Sequence, residues 1–368
     1  MLKNKAFKYR IYPDEAQTEL LAKTFGCVRF VYNKMLADKI AYYNETQKTL
    51  NNTPAQYKKE FQFLREVDSL ALCNAQLNLQ TAYKNFFTRK ESGFPKFKKK
   101  KGEAAYTTNF VNGNISISGD ALKLPKLGFV KIKLHRQLPK DAAIKSVTVR
   151  RTATNKYFAS ILVEYEEDAP RLADISEETA IGLDYSSPNF YVDSEGNVAN
   201  YDHYYRKSEK KLAKEQHRLA KKKKGSKNRE KQRRKVARVH EKIANQRLDF
   251  LHKQSTSIAK RYNVVCVEDI NLRGMAGSLR LGKATNDNGF GKFRELLKYK
   301  LEDQGKHFVV IDKWYPSSKT CRHCNHVHKE LKLSDRVYRC PGCGTLILRD
   351  PNSAINIKKE GLRILKSA

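Results

Sequence analysis

Long apolar runs are missing from this sequence: no stretch of about 18 consecutive apolar residues occurs, which excludes an ordinary membrane-spanning helix. The opening Met1-Leu-Lys-Asn-Lys-Ala-Phe-Lys-Tyr-Arg10 has no apolar core, so no secretory leader is expected. No lipidation signal or amphipathic anchor is present either. Acid is in short supply, with 39 Asp and Glu against 73 Lys and Arg, a formal net charge of +34. So large an excess repels itself in a compact fold and is relieved by a polyanion. DNA or RNA meets that need better than a membrane, with a ribosomal-type or merely soluble basic protein as the alternative. Cysteine is sparse and odd in number, seven in all, and Cys27, Cys73 and Cys266 stand singly in apolar contexts. That argues against a disulfide framework and for a reducing cytoplasm.

What is there begins with size: 368 residues, 40% of them hydrophobic, suffice for about two to three domains with buried cores. Residues 4–12 alternate and read as a strand ending at Pro13. Asp14 is placed to cap a helix through Leu21, Phe25, Val28, Val31, Tyr32 and Met35, and a second helix is expected over 68–89. The basic segment Gly93–Lys101 breaks that helix. Residues 106–165 then take strand period, suggesting a small antiparallel barrel or sandwich. An acidic linker, Glu166–Glu178, leads to a second domain. There the expected order is two strands (180–185 and 189–193), a turn at 195–197 and a further short strand. A helical region follows over 204–261, then a strand over 263–268, a glycine-rich loop, a helix over 289–304, a strand over 307–312 and a last helix from Pro351.

The densest basic stretch is Arg206–Lys242, turning at Gly225-Ser226 into a helical hairpin. Lys221, Lys222, Lys223, Lys224, Arg233 and Arg234 are its candidate phosphate contacts. Lys98, Lys99 and Asn112 are candidates in the first half. A solvated charged face is the plain alternative.

Two motifs carry chemistry. Cys321-x-x-Cys324 and Cys340-x-x-Cys343, fifteen residues apart, have the spacing of a zinc ribbon. Four thiolates close such a site, so its zinc would be structural and His323, His326 and His328 are not needed as ligands. The second motif is a set of three distant acids. Asp184 and Glu268 each end an apolar strand, and Asp350 precedes Pro351 at a helix start. An acid ending a buried strand is costly unless paired or metal-bound. Convergent carboxylates are what phosphodiester hydrolysis with two divalent ions requires. Each acid alone also reads as a helix or turn cap. Their order, strand acid, long insertion, strand acid, last-helix acid, is the layout of an RNase H-like fold.

These residues bring a family into view. The chain resembles TnpB, the RNA-guided nuclease family encoded by insertion sequences and related to the type V CRISPR effectors. The resemblance runs from Asn4–Pro13 through Ala82–Phe87, Gly93–Lys98 and Leu122–Gly128. Its most specific parts are Asp249–Lys253, Val267-Glu-Asp-Ile-Asn-Leu272, Pro316–Cys321 and Asp350-Pro-Asn-Ser-Ala-Ile-Asn356. The resemblance implies an α+β multidomain chain. Residues 1–13 and 99–168 would form a wedge-like β-barrel, 14–98 an inserted helical recognition domain and 169–368 a RuvC-like nuclease domain, with a zinc ribbon at 315–347. Asp184, Glu268 and Asp350 would be the catalytic acids and hold two Mg2+ ions. The partners would be a transposon-derived guide RNA and a double-stranded DNA target, in the cytoplasm and at the nucleoid. A short target-adjacent motif would be read near Ser69–Asn74 and Asn109–Asn112. The family usually has Asp-Leu-Gly at the first acid, where this chain has Asp184-Tyr-Ser, and often Asp-Arg-Asp at the third, where it has Leu348-Arg349-Asp350. All three acids remain, so activity is expected. The rival readings are a nuclease-inactive RNA-guided repressor and an RNA-independent RNase H-like transposase or resolvase.

Overall fold

The computed structural model describes residues 1–100, 103–278, 282, 287–332 and 334–367. It divides into two compact units, Met1–Asp168 and Ala169–Ala368. The division falls inside the acidic linker.

The first unit is built on one antiparallel sheet. Its strands are β1 (Leu2–Tyr12), β2 (Ala104–Asn109), β3 (Ser116–Ser118), β4 (Ala121–Leu124), β5 (Gly128–Lys133), β6 (Ala143–Arg151) and β7 (Tyr157–Glu166), in spatial order β2-β6-β7-β1-β5-β4-β3. The ladder is open, with β2 and β3 at its ends. Alternation does the expected work: Phe7, Tyr9 and Ile11 of β1 join Ala159, Ile161 and Val163 of β7 in a single core. Helices α1 (Glu15–Thr46), α2 (Pro54–Glu60) and α3 (Ser69–Thr88) complete that core. Asp14 caps α1 as anticipated, its carboxylate accepting from the Gln17 N–H at 2.8 Å. α1 runs eleven residues beyond Met35, and α2 was not anticipated. Cys73 is exposed on α3, not buried, because it lies between the core positions Leu72 and Ala75 and off their stripe.

The second unit has a four-stranded sheet. Its strands are β8 (Ala180–Ser186), β9 (Phe190–Asp193), β10 (Val264–Glu268) and β11 (His307–Ile311), in order β11-β10-β8-β9. β10 is parallel to both β8 and β11, whereas β9 returns antiparallel to β8. The further short strand after the 195–197 turn reduces to one bridge, Val192 to Val198. Between β9 and β10 stands the hairpin of α4 (Tyr204–Ala220) and α5 (Lys227–Arg261). Gly225 turns it with φ +83°, and Ser226 caps α5 through the Arg229 N–H. The segment read as a glycine-rich loop begins with a helix, α6 (Leu272–Ser278); residues 279–281 and 283–286 of it lie outside the described residues, as does Lys101 of the basic segment. α7 (Phe290–Glu302) follows, and α8 (Arg349–Ser367) ends the chain.

Helices cover both faces of this sheet. α5 and α7 pack on the side of Ile181, Leu183, Val265 and Val267. α8 packs on the side of Ala180, Val264 and Cys266 through Ile357 and Leu362. It lies nearly flush: a methyl group on Gly182 would overlap the Ala354 carbonyl, and one on Gly361 would overlap the Cys266 sulfur. Among the described residues no helix is long and apolar enough to cross a membrane.

Candidate functional site

Strand period decides where the two strand-end acids go. Leu183 and Val267 point into the α5/α7 core, so their successors Asp184 and Glu268 face the side covered by α8. Leu183 and Val267 are also register partners in the parallel ladder, which puts the two acids side by side at the carboxyl ends of neighbouring strands. That edge is where open α/β sheets bind ligands. α8 starts over the same edge, with Asp350 in its first turn.

All three carboxylates are partly buried and short of cationic relief. Burial pushes the Asp184 carboxyl up to about 8, and Asp350 and Glu268 push in the same direction against the weaker pull of Ser353 and Arg349. Burial, with Asp269 beside it, also raises Glu268. Arg349 sits 3.5 Å from Asp350. Like charges gathered in a poorly solvated place are a donor set for hard cations. The three are nonetheless spread: among the described residues only the four ribbon cysteines form a group whose ligand atoms all lie within 4.8 Å of one another.

The cysteines sit on two tight turns. One is held by the Cys321 N–H on the His326 carbonyl at 2.9 Å, the other by the Cys340 N–H on the Thr345 carbonyl at 2.9 Å. The short strands β12 (Val337–Arg339) and β13 (Leu346–Leu348) carry the second turn. Sulfur separations are 3.7 Å for Cys321–Cys343 and 3.4 Å for Cys324–Cys340. A tetrahedron of sulfurs around one zinc has edges of about 3.8 Å, so the cluster has the size of a metal site. The Thr345 hydroxyl, 3.1 Å from Cys343, and the Thr345 backbone hold that thiol down at about 6, where it readily becomes the thiolate a metal needs. The histidines stay out of the group, and His328 packs on Tyr338.

The two clusters are tied together by residues that the sequence reading quoted without assigning them a role. The Ser353 hydroxyl donates to Asp184 Oδ1 at 3.0 Å and lies 3.1 Å from the Ser317 hydroxyl. Just before it in sequence and one turn after it, the buried Asn352 and Asn356 amides donate to the Thr320 carbonyl at 2.7 Å each, and Asn356 also reaches the Ser317 carbonyl at 2.8 Å. Asn352 accepts from the Arg322 N–H at 3.1 Å. The chain entering the ribbon is thereby fastened to α8 beside the first acid. Two asparagines four residues apart on the buried stripe of an amphipathic helix were the signal for it.

The basic candidates separate by partner. Lys221 to Lys224 are exposed at the hairpin turn, and none of their ammoniums is ion-paired. Arg233 instead grips Glu230 with contacts of 2.8 and 2.6 Å, and Arg234 lies 3.5 Å from the same carboxylate. Lys98 sits 4.0 Å from the Tyr32 ring centre, its backbone clipped to Asn33, and Lys99 is exposed. Asn112 occupies a turn with φ +49°. The two segments proposed as a motif reader do meet, through Asn74 and Asn109 at 3.4 Å.

Comparison with known proteins identifies the family. Residues 160–279 match the OrfB_IS605 family, described as "Probable transposase", and residues 290–357 a "Cas12f1-like, TNB domain". A "Putative RNA-guided DNA endonuclease" of Streptomyces pristinaespiralis is 38% identical, with 97% of this chain and 89% of that protein covered. One of Escherichia coli, InsQ, is 31% identical over 99% of this chain and 94% of its own. The chain belongs to the TnpB family. Its fold resembles that of Cas12f1 as seen in a complex with guide RNA and target DNA: TM-score 0.58, 12% identity, 97% and 99% of the two chains covered. In this TnpB chain the segment matched by a "Helix-turn-helix domain", residues 1–48, consists of β1 and the single helix α1.

Proposed function

We propose that this chain is an RNA-guided DNA endonuclease that cuts at Asp184, Glu268 and Asp350. The observation that carries the reading is the meeting of these acids at one edge of the β8/β10 sheet, close enough for Asp350 and Glu268 to raise the Asp184 carboxyl. In this reading residues 169–368 are the RuvC-like nuclease domain with a zinc ribbon at 315–347. Residues 1–13 with 99–168 are the wedge, and 14–98 are the recognition domain. The guide RNA comes from the transposon end, the target is duplex DNA beside a short motif, and the setting is the cytoplasm and nucleoid.

The acids would hold Mg2+, and the cysteines zinc. Carboxylate oxygens are the hard ligands that Mg2+ takes, and two such ions would share the three acids between them. When bound, the metals would lower the pKa of a water and stabilise the leaving oxygen. The protein's own residues prepare the place. Ser353 fixes one Asp184 oxygen with its hydroxyl. Arg349 partly offsets Asp350. Lys221–Lys224 and Lys99 supply phosphate contacts that give affinity without sequence reading, while base pairing with the guide selects the target.

The test is to purify wild type, Asp184→Ala and Glu268→Ala with the flanking element, then assay cutting of a motif-library DNA in Mg2+. Both variants are expected to lose more than about a thousandfold in cutting, within the range that metal and electrostatic catalysis supplies, and to retain bound RNA. Cleavage retained by either variant would falsify the site, and cutting by RNA-free protein would favour a transposase or resolvase.

A further inference from the structure

Away from both metal clusters, the first unit contains a cleft of about 580 Å³ between the end of α1, the segment after it and α3. One wall is aromatic. Tyr83 and Phe86 meet Phe94 edge to face at 5.7 and 5.4 Å, and Phe86 meets Phe87 at 5.1 Å. Much of this surface stays in water: Phe87 is 77% exposed and Phe94 45%, with Tyr43 opposite at 52%. Single exposed aromatics are ordinary, but several lining one concavity mark a binding site.

The polar part of the lining is selective. Asn44, Asn51 and Gln80 are exposed, and their amides make no hydrogen bond among the described residues. Lys48 is exposed beside them, and no carboxylate lines the cleft. Asp38, Glu45 and Glu91, the nearest acids in sequence, are outside the lining, and Asp38 is paired with Lys34 at 2.9 Å, while Lys84, Arg89 and Lys90 are exposed at the end of α3. Lys39 is not available to a ligand, because its ammonium donates to the Leu50 carbonyl.

We propose that this cleft takes one unpaired nucleobase of the bound RNA. Aromatic faces stack any base, side-chain amides donate to and accept from base edges, and the cations beside them suit the flanking phosphates. Its occupant is a base, not an apolar peptide or a second copy of the chain, because three free amides and a cationic rim would be left unpaired under an apolar partner. It is an RNA base in particular because the cleft is a discrete pocket, not a track. Folded RNA presents isolated extruded bases in its loops and bulges, whereas duplex DNA keeps its bases stacked. The proposal rests on the RNA-binding part of the function above.

The experiment measures the affinity of the full chain for a bulged RNA hairpin and for a DNA oligonucleotide of the same sequence, and maps crosslinks from 4-thiouridine placed in the bulge. Phe87→Ala and Gln80→Ala alter exposed side chains, and their melting temperatures are checked against wild type. Phe87→Ala is expected to weaken RNA binding about tenfold, the worth of one stacked base, and to abolish crosslinks to residues 80–94. Gln80→Ala is expected to weaken it less and to change the preferred base. Unchanged RNA affinity and crosslinks in both variants would overturn the proposal. So would a loss confined to the DNA oligonucleotide, or a shift from dimer to monomer as the sole effect. A wild-type chain that binds no RNA would instead overturn the guided-nuclease reading on which the cleft depends.

Discussion

The two candidate metal clusters sit at opposite ends of one short path and are built on opposite principles. The cysteines are soft, gathered within 4.8 Å of one another, and held by two tight backbone turns. The acids are hard, more widely spread, and supplied by three separate elements that meet through packing of the sheet against α8. A closed cluster of four strong ligands suits an ion that stays and organises local structure. An open cluster with raised carboxyl groups suits ions that share their coordination with a substrate. Ser317, Ser353, Asn352 and Asn356 link the two, so the cysteine cluster braces the acidic one.

The comparison breaks most decisively if the cysteine cluster is removed. Stripping the metal with a chelator, or Cys340→Ala, is expected to unfold residues 313–348, since structural zinc in small sites is worth on the order of 10 kcal/mol. Limited proteolysis would read this as new cleavage inside that segment, with the first unit unaffected. An unaltered digestion pattern would show that the ribbon holds itself up without metal.

A smaller change tests the link itself. Ser353→Ala removes the hydroxyl on Asp184 while leaving every metal ligand in place. Outer-sphere partners of this kind are worth about 10–100-fold in metal affinity. The expected result is a Mn2+ titration shifted to at least tenfold higher concentration, read by calorimetry, with cutting recovered at high metal. If the half-point stays put, Asp184 is positioned by the strand alone.

The smallest expected effect concerns pH. An acid raised in the folded state binds its proton longer there than when unfolded, so its contribution to stability is full at low pH and declines as pH rises from about 4 to about 8. Asp184→Asn escapes that decline. In metal-free buffer it is expected to match wild type near pH 4 and to exceed it by about 1–2 kcal/mol at pH 8, after discounting for solvent screening. Chemical denaturation at the two values measures the difference, and added Mg2+ should reverse it, because only wild type offers the ion a carboxylate. Equal stabilities at both values would mean that the acids do not crowd one another in solution.

Much of this was legible in advance because some signals are local. A carboxylate ending a continuous apolar strand marks Asp184 and Glu268, and cysteine spacing marks the ribbon. Gly225-Ser226 announced the hairpin turn because only a few residues tolerate its backbone. Arg233 and Arg234 read as candidate phosphate contacts, and the structure adds an ion pair of each with Glu230, three and four residues earlier. The losses came where tertiary partners decide. The loop after Glu268 read as glycine-rich, but Leu272 packs on the core beneath it and helix α6 forms there. The Asn352 and Asn356 bonds were out of reach, since nothing local says which carbonyl a buried amide will find.

Gly182 and Gly361 have a consequence beyond close packing. They key α8 to the sheet at two points, Gly182 of β8 against Ala354 and Gly361 against Cys266 of β10, so the helix has one seating and cannot slide. The tip of the α4/α5 hairpin, Lys221–Lys224, lies outside that lock. It is therefore free to lengthen or shrink over evolutionary time without changing the distances among the three acids.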